Sequence, residues 1–457
     1  MTVNTKTLHY IYVAAVALIV GLFFSYRPTF SFGTVSGTNL EISATQFAIG
    51  AFILACAPLL WRARAQLYHT LSLRILSGLA LLSTISLLYT PNLTRGVLFT
   101  TLLWVITVAW AAIIVSVPIL KRYFAPLRLV GFWVVTITAV FAWFQVYAEA
   151  MGASTTFTLL PEAYLSGVFG FARPTAFALE PQFLGSLLVA PLLYTAYLEM
   201  TRQQTRFSRI VLLLSASALL ATISRGAYLA TAIGFLLLFA FYAKANIAAS
   251  FKLISILSAT ALVTIGLLGF AAHLNQRDSI SGEQAILKSV SQLSLGTISI
   301  DSAPVLQQPS VAQPALPTSG YVASSTDSRL SMAETALKLW SSTPGTVLFG
   351  VGSGGFGTSL HQADSTYPKN SVVNNHYLET LVELGLVGLA VFIGVIGSVL
   401  LLLIRDRAWL AVAIITAVTL QWLFFSGSIN VLHIWVLLAA SVAFIADRKN
   451  TVRLKQA

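Results

Sequence analysis

The chain has 457 residues, of which 57% are hydrophobic and only 9% are charged, and its mean hydropathy is +0.82. Soluble domains carry about 25% charged residues, so this composition excludes a soluble globular protein and indicates a polytopic membrane protein. The formal net charge of +12 does not indicate nucleic-acid binding, because membrane proteins gather basic residues in their cytoplasmic loops. The single cysteine, Cys56, excludes an intrachain disulfide and a cysteine-based metal site.

Twelve windows are apolar and long enough to cross the hydrocarbon layer as helices, which takes roughly 17–25 residues each. They are 8–26, 45–61, 71–89, 97–119, 127–148, 181–200, 208–223, 227–243, 250–271, 382–404, 408–425 and 430–446. No small-residue cleavage site follows the first window, so it is predicted to be a retained helix. Only Ser224-Arg225-Gly226 separates the seventh and eighth windows, and this spacing predicts a tight hairpin.

The basic residues predict the orientation of the chain. Alternate loops place most of the 27 lysines and arginines on one side, which is cytoplasmic by the positive-inside rule, so both termini are predicted inside. The predicted fold class is therefore an all-α integral membrane protein with about twelve transmembrane helices. Its predicted divisions are 1–271 with the first nine helices, 272–381 as a periplasmic loop region, and 382–457 with three helices and a cytoplasmic tail.

The long outer segment before the tenth window has three predicted parts. Residues 289–325 are rich in Ser, Gln, Pro and Ala and predict an extended, flexible arm. Residues 329–341 carry apolar side chains at helical spacing and predict an amphipathic surface helix. The glycine-rich run at 349–357 loosely matches a dinucleotide-binding fingerprint, but no strand precedes it inside a βαβ unit, so a tight turn is predicted instead.

His376 is the first candidate catalytic residue, and it lies at the junction of the outer segment and the tenth window. Its imidazole can act as a general base near neutral pH, and Glu379 and Glu383 follow at helical spacing on one face. An ordinary interfacial histidine is the alternative interpretation. No spacing of His, Asp and Glu predicts a metal site.

Two arginines are the other candidates on the outer face. An arginine at membrane depth costs several kcal/mol unless it is paired or hydrated, and a planar guanidinium binds phosphate oxygens well. Arg225 in the predicted hairpin and Arg173 before Pro174 could bind an anion or could be interfacial arginines. Glu180, before Pro181, could favour a helix dipole or could position an arginine or a sugar hydroxyl.

These residues form an ordered set along the chain. The set comprises Arg173-Pro174, Glu180-Pro181, Ser224-Arg225-Gly226, Ser328-Arg329, Trp340, Pro344, Gly350-Val351-Gly352-Ser353-Gly354, Asn375-His376-Tyr377-Leu378, Gly385 and Gly388. On a twelve-helix scaffold with one large outer loop before the tenth helix, this order resembles the bacterial O-antigen ligase and polymerase superfamily. The resemblance covers roughly residues 140–400.

The resemblance implies an integral-membrane glycosyltransferase of the bacterial inner membrane whose active site faces the periplasm. The implied donor is a glycan on undecaprenyl pyrophosphate, and the implied acceptor is a second lipid-linked glycan or the lipid A-core. Arg173 and Arg225 would bind the donor pyrophosphate, and His376 would act on the acceptor hydroxyl in an inverting transfer without metal or cofactor. The predicted substrate-binding residues are Glu180, Arg329, Asn375, Tyr377 and Glu379.

The sequence favours a polymerase of O-antigen or exopolysaccharide repeats over a ligase, because a ligase for the phosphorylated lipid A-core is expected to have a basic outer surface. The segment 272–375 is instead close to neutral. Besides its substrates, the expected partners are membrane lipid and a candidate chain-length regulator, with no nucleic acid. A lipid-linked sugar transporter or flippase is a more distant alternative, and it would more often show paired repeats with broken helices.

Overall fold

The computed structural model of the protein describes residues 4–25, 29–35, 38–166, 169–275, 321–425 and 431–456, and 80% of these described residues are helical. The helices up to residue 200 are α1 (Thr5–Phe23), α2 (Ala44–Tyr68), α3 (Leu71–Ser86), α4 (Leu93–Leu120), α5 (Phe124–Ala150), α6 (Thr155–Thr158) and α7 (Pro181–Met200). Those that follow are α8 (Arg206–Ala221), α9 (Arg225–Tyr242), α10 (Ile247–Leu274), α11 (Tyr321–Trp340), α12 (Pro344–Phe349), α13 (Phe356–Ala363), α14 (His376–Arg405), α15 (Trp409–Leu420) and α16 (Leu432–Gln456).

A helix lies on each of the twelve apolar windows, so the nearly all-α class is confirmed. In the described ranges, seven helical stretches are long and apolar enough to cross a membrane. They are Thr5–Phe23, Ala44–Tyr68, Leu93–Ala150, Pro181–Met200, Arg225–Tyr242, Ile247–Leu274 and His376–Arg405. A helix satisfies its own backbone hydrogen bonds, which is the requirement for crossing lipid. The number of spans, the side of the termini and the periplasmic placement of the loop stay predictions.

Two local features differ from the sequence predictions. A β-hairpin of β1 (Thr29–Val35) and antiparallel β2 (Thr38–Ser43) lies between α1 and α2, where no strand was predicted. Its Thr, Phe and Val residues are typical of strands. The surface helix begins at Tyr321 instead of residue 329, because Ser and Thr lower helix propensity without ending a helix. Residues 289–320 of the predicted flexible arm lie outside the described residues.

The chain forms two compact units. The first unit comprises residues 1–134 and 332–457, and in it α4 packs against α2 and α16 while α3 packs against α14. The second unit comprises residues 135–331, and in it α7 packs against α8 and α9 while α10 packs against α8. The predicted divisions at 271 and 381 concern the order of membrane helices and loop along the chain, and they stay a prediction.

Close backbone contact joins α12 to the beginning of α14 in the first unit. The helix α14 is interrupted at Gly385, where φ is +68° and ψ is −170°. A Cβ atom at this position would lie 2.2 Å from the carbonyl carbon of Leu348. Gly350, with φ +73°, meets the backbone of Glu383 in the same way, at 2.3 Å. Only glycine fits such positions, so the two glycines allow α12 and α14 to touch through their backbones.

Candidate active site

His376 is the first residue of α14 and is only 8% exposed. The helix begins here because the Asn375 side chain accepts a hydrogen bond from the backbone N–H of Leu378 at 3.1 Å. The imidazole Nδ1 lies 3.2 Å from Glu379 Oε2, one helical turn further on. If Nδ1 carries the proton and donates to this carboxylate, Nε2 is the unprotonated nitrogen and can accept a proton.

Aromatic side chains surround the imidazole of His376. Its ring centroid lies 5.1 Å from that of Phe392 and 5.5 Å from that of Trp422. Neighbouring Tyr377 donates its hydroxyl to the carbonyl of Thr419 at 3.0 Å. This hydrogen bond and the cap made by Asn375 hold the beginning of α14 in place, and the substrate-binding roles predicted for Asn375 and Tyr377 stay predictions.

Glu383 connects α14 to the glycine-rich turn. Its carboxylate accepts hydrogen bonds from the backbone N–H groups of Gly354, at 2.8 Å, and Phe356, at 3.4 Å. Its own carbonyl accepts from Gly352 N–H at 2.9 Å. The turn therefore holds the Glu383 carboxylate, which is consistent with the predicted tight loop and not with a dinucleotide-binding turn.

A row of buried hydroxyl groups fixes the same turn to α3 and α4. Ser353 Oγ lies 2.8 Å from Ser83 Oγ, which lies 2.7 Å from Thr100 Oγ1. The backbone N–H of Ser353 donates to Ser86 Oγ at 3.0 Å, and Thr90 donates to the Ser353 carbonyl at 2.9 Å. Four polar residues between Ser83 and Thr100 thus form hydrogen bonds with the distant Ser353 or with one another.

These groups face a small pocket of about 50 Å³ in the first unit. Its wall combines an imidazole, two carboxylates, hydroxyls and apolar or aromatic side chains, from His376, Glu379, Glu383, Thr380, Ser83, Ser353, Leu79, Phe99, Leu103, Leu384, Phe392 and Trp435. A mostly apolar pocket with a few convergent polar groups is the usual form of a small-molecule site. A base, hydrogen-bond acceptors and aromatic faces suit a sugar.

Arg95 is a residue that the sequence reasoning missed. It lies in the first turn of α4, where its guanidinium stacks over Phe99 at 5.3 Å and interacts electrostatically with the Glu383 carboxylate. Its NH1 nitrogen is buried and has no hydrogen-bond partner among the described residues. A backbone contact brings Arg95 to this place, because a Cβ on Gly354 would lie 2.8 Å from the Arg95 carbonyl carbon. Gly354 itself was the only sign of this contact in the sequence.

The arginine cluster belongs to the second unit. Arg173 donates from Nε to the carbonyl of Thr222 at 3.1 Å and from NH2 to the carbonyl of Ile223 at 3.2 Å. Its guanidinium also lies over the rings of Tyr164 and Phe169, 5.9 and 5.8 Å from their centroids. Arg173 is therefore attached to the turn that precedes Arg225.

Gln145 holds the loop that carries Arg173. This fully buried side chain accepts from the N–H groups of Thr175 and Ala176, at 3.0 and 2.7 Å. Its Nε2 donates to the carbonyls of Thr158 and Ala176, at 2.9 and 3.3 Å. Four hydrogen bonds from one amide make this loop a fixed part of the second unit, although it has no regular structure.

Glu180 and Arg329 complete the predicted set in the second unit. Glu180 precedes Pro181 at the beginning of α7, as predicted. Burial raises the pKa of the Glu180 carboxyl above its ordinary value, while the charges of Arg329 and Arg173 and a hydrogen bond from Tyr164 act in the opposite direction. Arg329 also donates to Gln182 Oε1 at 3.4 Å. The structure thus brings Arg173, Glu180 and Arg329 together.

A metal centre has no candidate in the part of the chain that the structure describes, where no group of three or more His, Cys, Asp and Glu side chains could hold an ion. The positively charged groups near Glu180 in the second unit are the guanidinium groups of Arg173 and Arg329, and guanidinium is the side-chain group best suited to phosphate.

The apolar helices and the pocket with its histidine define a multi-pass membrane protein with a candidate enzyme site. Residues 210–393 match the protein family described as O-antigen ligase. The match confirms the resemblance to the O-antigen ligase and polymerase superfamily and supports a membrane enzyme of this type. Both His376 and Arg225 lie in the matched range, whereas Arg173 and Arg95 lie before it. No curated protein matches the chain.

Proposed function

We propose that this protein transfers glycan from an undecaprenyl-pyrophosphate donor to a sugar hydroxyl of an acceptor on the periplasmic face of the inner membrane, with His376 as the general base. One observation carries the proposal. A buried imidazole in a pocket wall has Nδ1 on the Glu379 carboxylate at 3.2 Å, so Nε2 can serve as the base. The family match supports the same reaction class.

The proposed reaction is an inverting displacement. His376 Nε2 takes the proton of the acceptor hydroxyl while the oxygen forms a bond to the anomeric carbon of the donor sugar. The bond between that carbon and the pyrophosphate oxygen breaks, and its electron pair leaves with undecaprenyl pyrophosphate. Glu379 stabilises the imidazolium that forms, in the way a carboxylate supports histidine in other general-base enzymes.

We assign stabilisation of the leaving pyrophosphate to the guanidinium group of Arg225, one of the two arginines predicted to bind the donor. Fixed positive charge that meets developing negative charge is the strongest single source of stabilisation in many enzymes. Glu180 and Arg329, which lie in one cluster with Arg173, are proposed to contact the donor glycan. Because guanidinium groups supply the charge, the proposal needs no metal ion.

A purified enzyme with a lipid-linked donor tests the assignment of the base. His376→Ala is expected to lower the transfer rate by about 10²–10⁴-fold, the usual contribution of a general base. Glu379→Gln should lower the transfer rate less. In the His376→Ala background, Glu379→Gln should lower the rate little further, because both residues act through the same proton. The matched control is Glu334→Gln, whose carboxylate is 67% exposed in a surface ion pair with Lys338. Near wild-type transfer by His376→Ala would show that the base is another residue.

The second candidate function differs in the acceptor. The nearly neutral segment 272–375 supports a polymerase of O-antigen or exopolysaccharide repeats, and the match to the O-antigen ligase family supports a ligase. Deleting the gene and separating the lipopolysaccharide by size distinguishes the two. Core carrying a single repeat indicates a polymerase, bare core with accumulated lipid-linked polymer indicates a ligase, and unchanged lipopolysaccharide indicates an exopolysaccharide enzyme.

A further inference from the structure

Arg173 bonds to the end of a helix in the second unit. The helix α8 ends at Ala221, and the next two carbonyls, of Thr222 and Ile223, accept hydrogen bonds from the Arg173 guanidinium at 3.1 and 3.2 Å. Carbonyls at a helix C-terminus lack partners within the helix and carry partial negative charge, so they attract a cation. Two donors of the guanidinium are therefore engaged by backbone and not by a substrate.

The turn that Arg173 holds has an unfavourable backbone. Ile223 has φ +48°, in the left-handed region that β-branched side chains almost never adopt. Such a conformation persists only where its surroundings impose it. Here the Ile223 side chain is 2% exposed and packs in a cluster with Phe171, Ala221 and Val146. The hydrogen bond from Arg173 to the Ile223 carbonyl fixes the backbone on the other side.

The same turn determines the position of Arg225. Ser224 is the N-cap of α9 and Arg225 is its first residue, so Arg225 follows the strained Ile223 by only two residues. Tyr228 ties the turn further, since its hydroxyl donates to the carbonyl of Leu220 in α8. A change in the turn would therefore move Arg225.

We infer that Arg173 is a positioning residue, which holds the turn at Thr222 and Ile223 in its left-handed form and thereby places Arg225, instead of coordinating the donor phosphate itself. This inference rests on the proposed function, because it assigns the contact with phosphate to Arg225. It gives a specific expectation for lysine. A single ammonium group keeps the charge but cannot offer the rigid fork of donors that two adjacent carbonyls require.

A double-mutant cycle tests the inference through glycine, which adopts the left-handed form without steric cost. In the wild-type turn, Arg173→Lys should lower transfer about tenfold or more, whereas in the Ile223→Gly background it should lower it by about threefold or less. The cycle removes the separate effect of losing the Ile223 side chain. The matched control background is Ala176→Gly, at another left-handed residue with φ +48°, where Arg173→Lys should keep its full effect. An equal loss in the Ile223→Gly and wild-type backgrounds would mean that Arg173 binds the donor directly.

A labelling experiment provides a readout that does not depend on transfer. The chain has one cysteine, Cys56, which is buried, so Arg225→Cys introduces one further thiol, at a partly exposed position. In the full-length protein in detergent, Arg173→Lys should change the rate of maleimide labelling at this thiol about tenfold. The change should disappear in the Ile223→Gly background. A rate that does not respond to Arg173→Lys overturns the inference even if the transfer activity agrees with the proposed function. A retained melting temperature confirms that each variant is folded.

Discussion

At the scale of single residues, Arg95 and Glu383 depend on each other. Glu383 is buried, NH1 of the partly buried Arg95 is buried as well, and Arg95 is the cation that acts on the Glu383 carboxylate in the first unit. We predict that Arg95→Met lowers the free energy of unfolding by about 1–3 kcal/mol, because it leaves a buried carboxylate without its counter-charge. Thermal unfolding in detergent measures the loss, and the transfer rate should fall with it.

Two comparisons make the prediction for Arg95 specific. In the Glu383→Gln background, Arg95→Met should cost clearly less, because no carboxylate remains to be balanced. The exposed Arg62→Met should change stability by less than about 0.5 kcal/mol. If Arg95→Met costs the same with and without the carboxylate, its contribution comes from packing on Phe99.

At the scale of elements, the contact between α12 and α14 depends on glycine. Gly385→Ala should lower the free energy of unfolding by at least about 1–3 kcal/mol. Only glycine tolerates φ +68° with ψ −170°, and the Leu348 backbone occupies the space that a Cβ would need. Transfer should fall as well, since the contact fixes Glu383 and the beginning of α14. Gly397→Ala is the matched control in the same helix, with open space around its Cβ, and should be neutral or slightly stabilising. Equal effects of the two substitutions would contradict the role given to Gly385.

The helices were predictable because each one corresponds to a continuous apolar run whose length can be read directly from the sequence. The break between α8 and α9 was also predictable, since Ser224-Arg225-Gly226 interrupts a stretch too long for one span. The hairpin of β1 and β2 was not predicted, because its strands of 7 and 6 residues are too short to form an apolar window that could span the membrane. The interruption at Gly385 was missed because its cause is the backbone of α12, which no local pattern reveals.

The site was predictable only where its partners are near in sequence. Glu379 follows His376 by three positions, so helical spacing predicted their contact, and the structure has it at 3.2 Å. Arg95 and Ser83 were not predicted, because their partners Glu383 and Ser353 lie more than 250 residues away. Spacing carries no information about such pairs, and a fold is needed to bring them together.

At the scale of the whole molecule, the orientation in the membrane is testable with single cysteines. Ser365 belongs to the predicted outer segment, Gln203 to a predicted cytoplasmic loop, and both are exposed. We predict that a membrane-impermeant maleimide labels Ser365→Cys in intact spheroplasts and labels Gln203→Cys only after the membrane is opened. Buried Cys56 should remain unlabelled in both, which makes the wild-type protein the blank. The reverse pattern would invert the proposed topology and place His376 on the cytoplasmic side.

The hydroxyl row from Thr100 through Ser83 to Ser353 has a consequence for the order of events during synthesis. Ser83 and its partner Ser353 are 270 residues apart. At about 5–20 residues per second, α3 and α4 leave the ribosome tens of seconds before the glycine-rich turn exists. During that interval their hydroxyls must be satisfied by one another, by water or by an insertion factor. The pocket around His376 is therefore completed late, after most of the chain is in place.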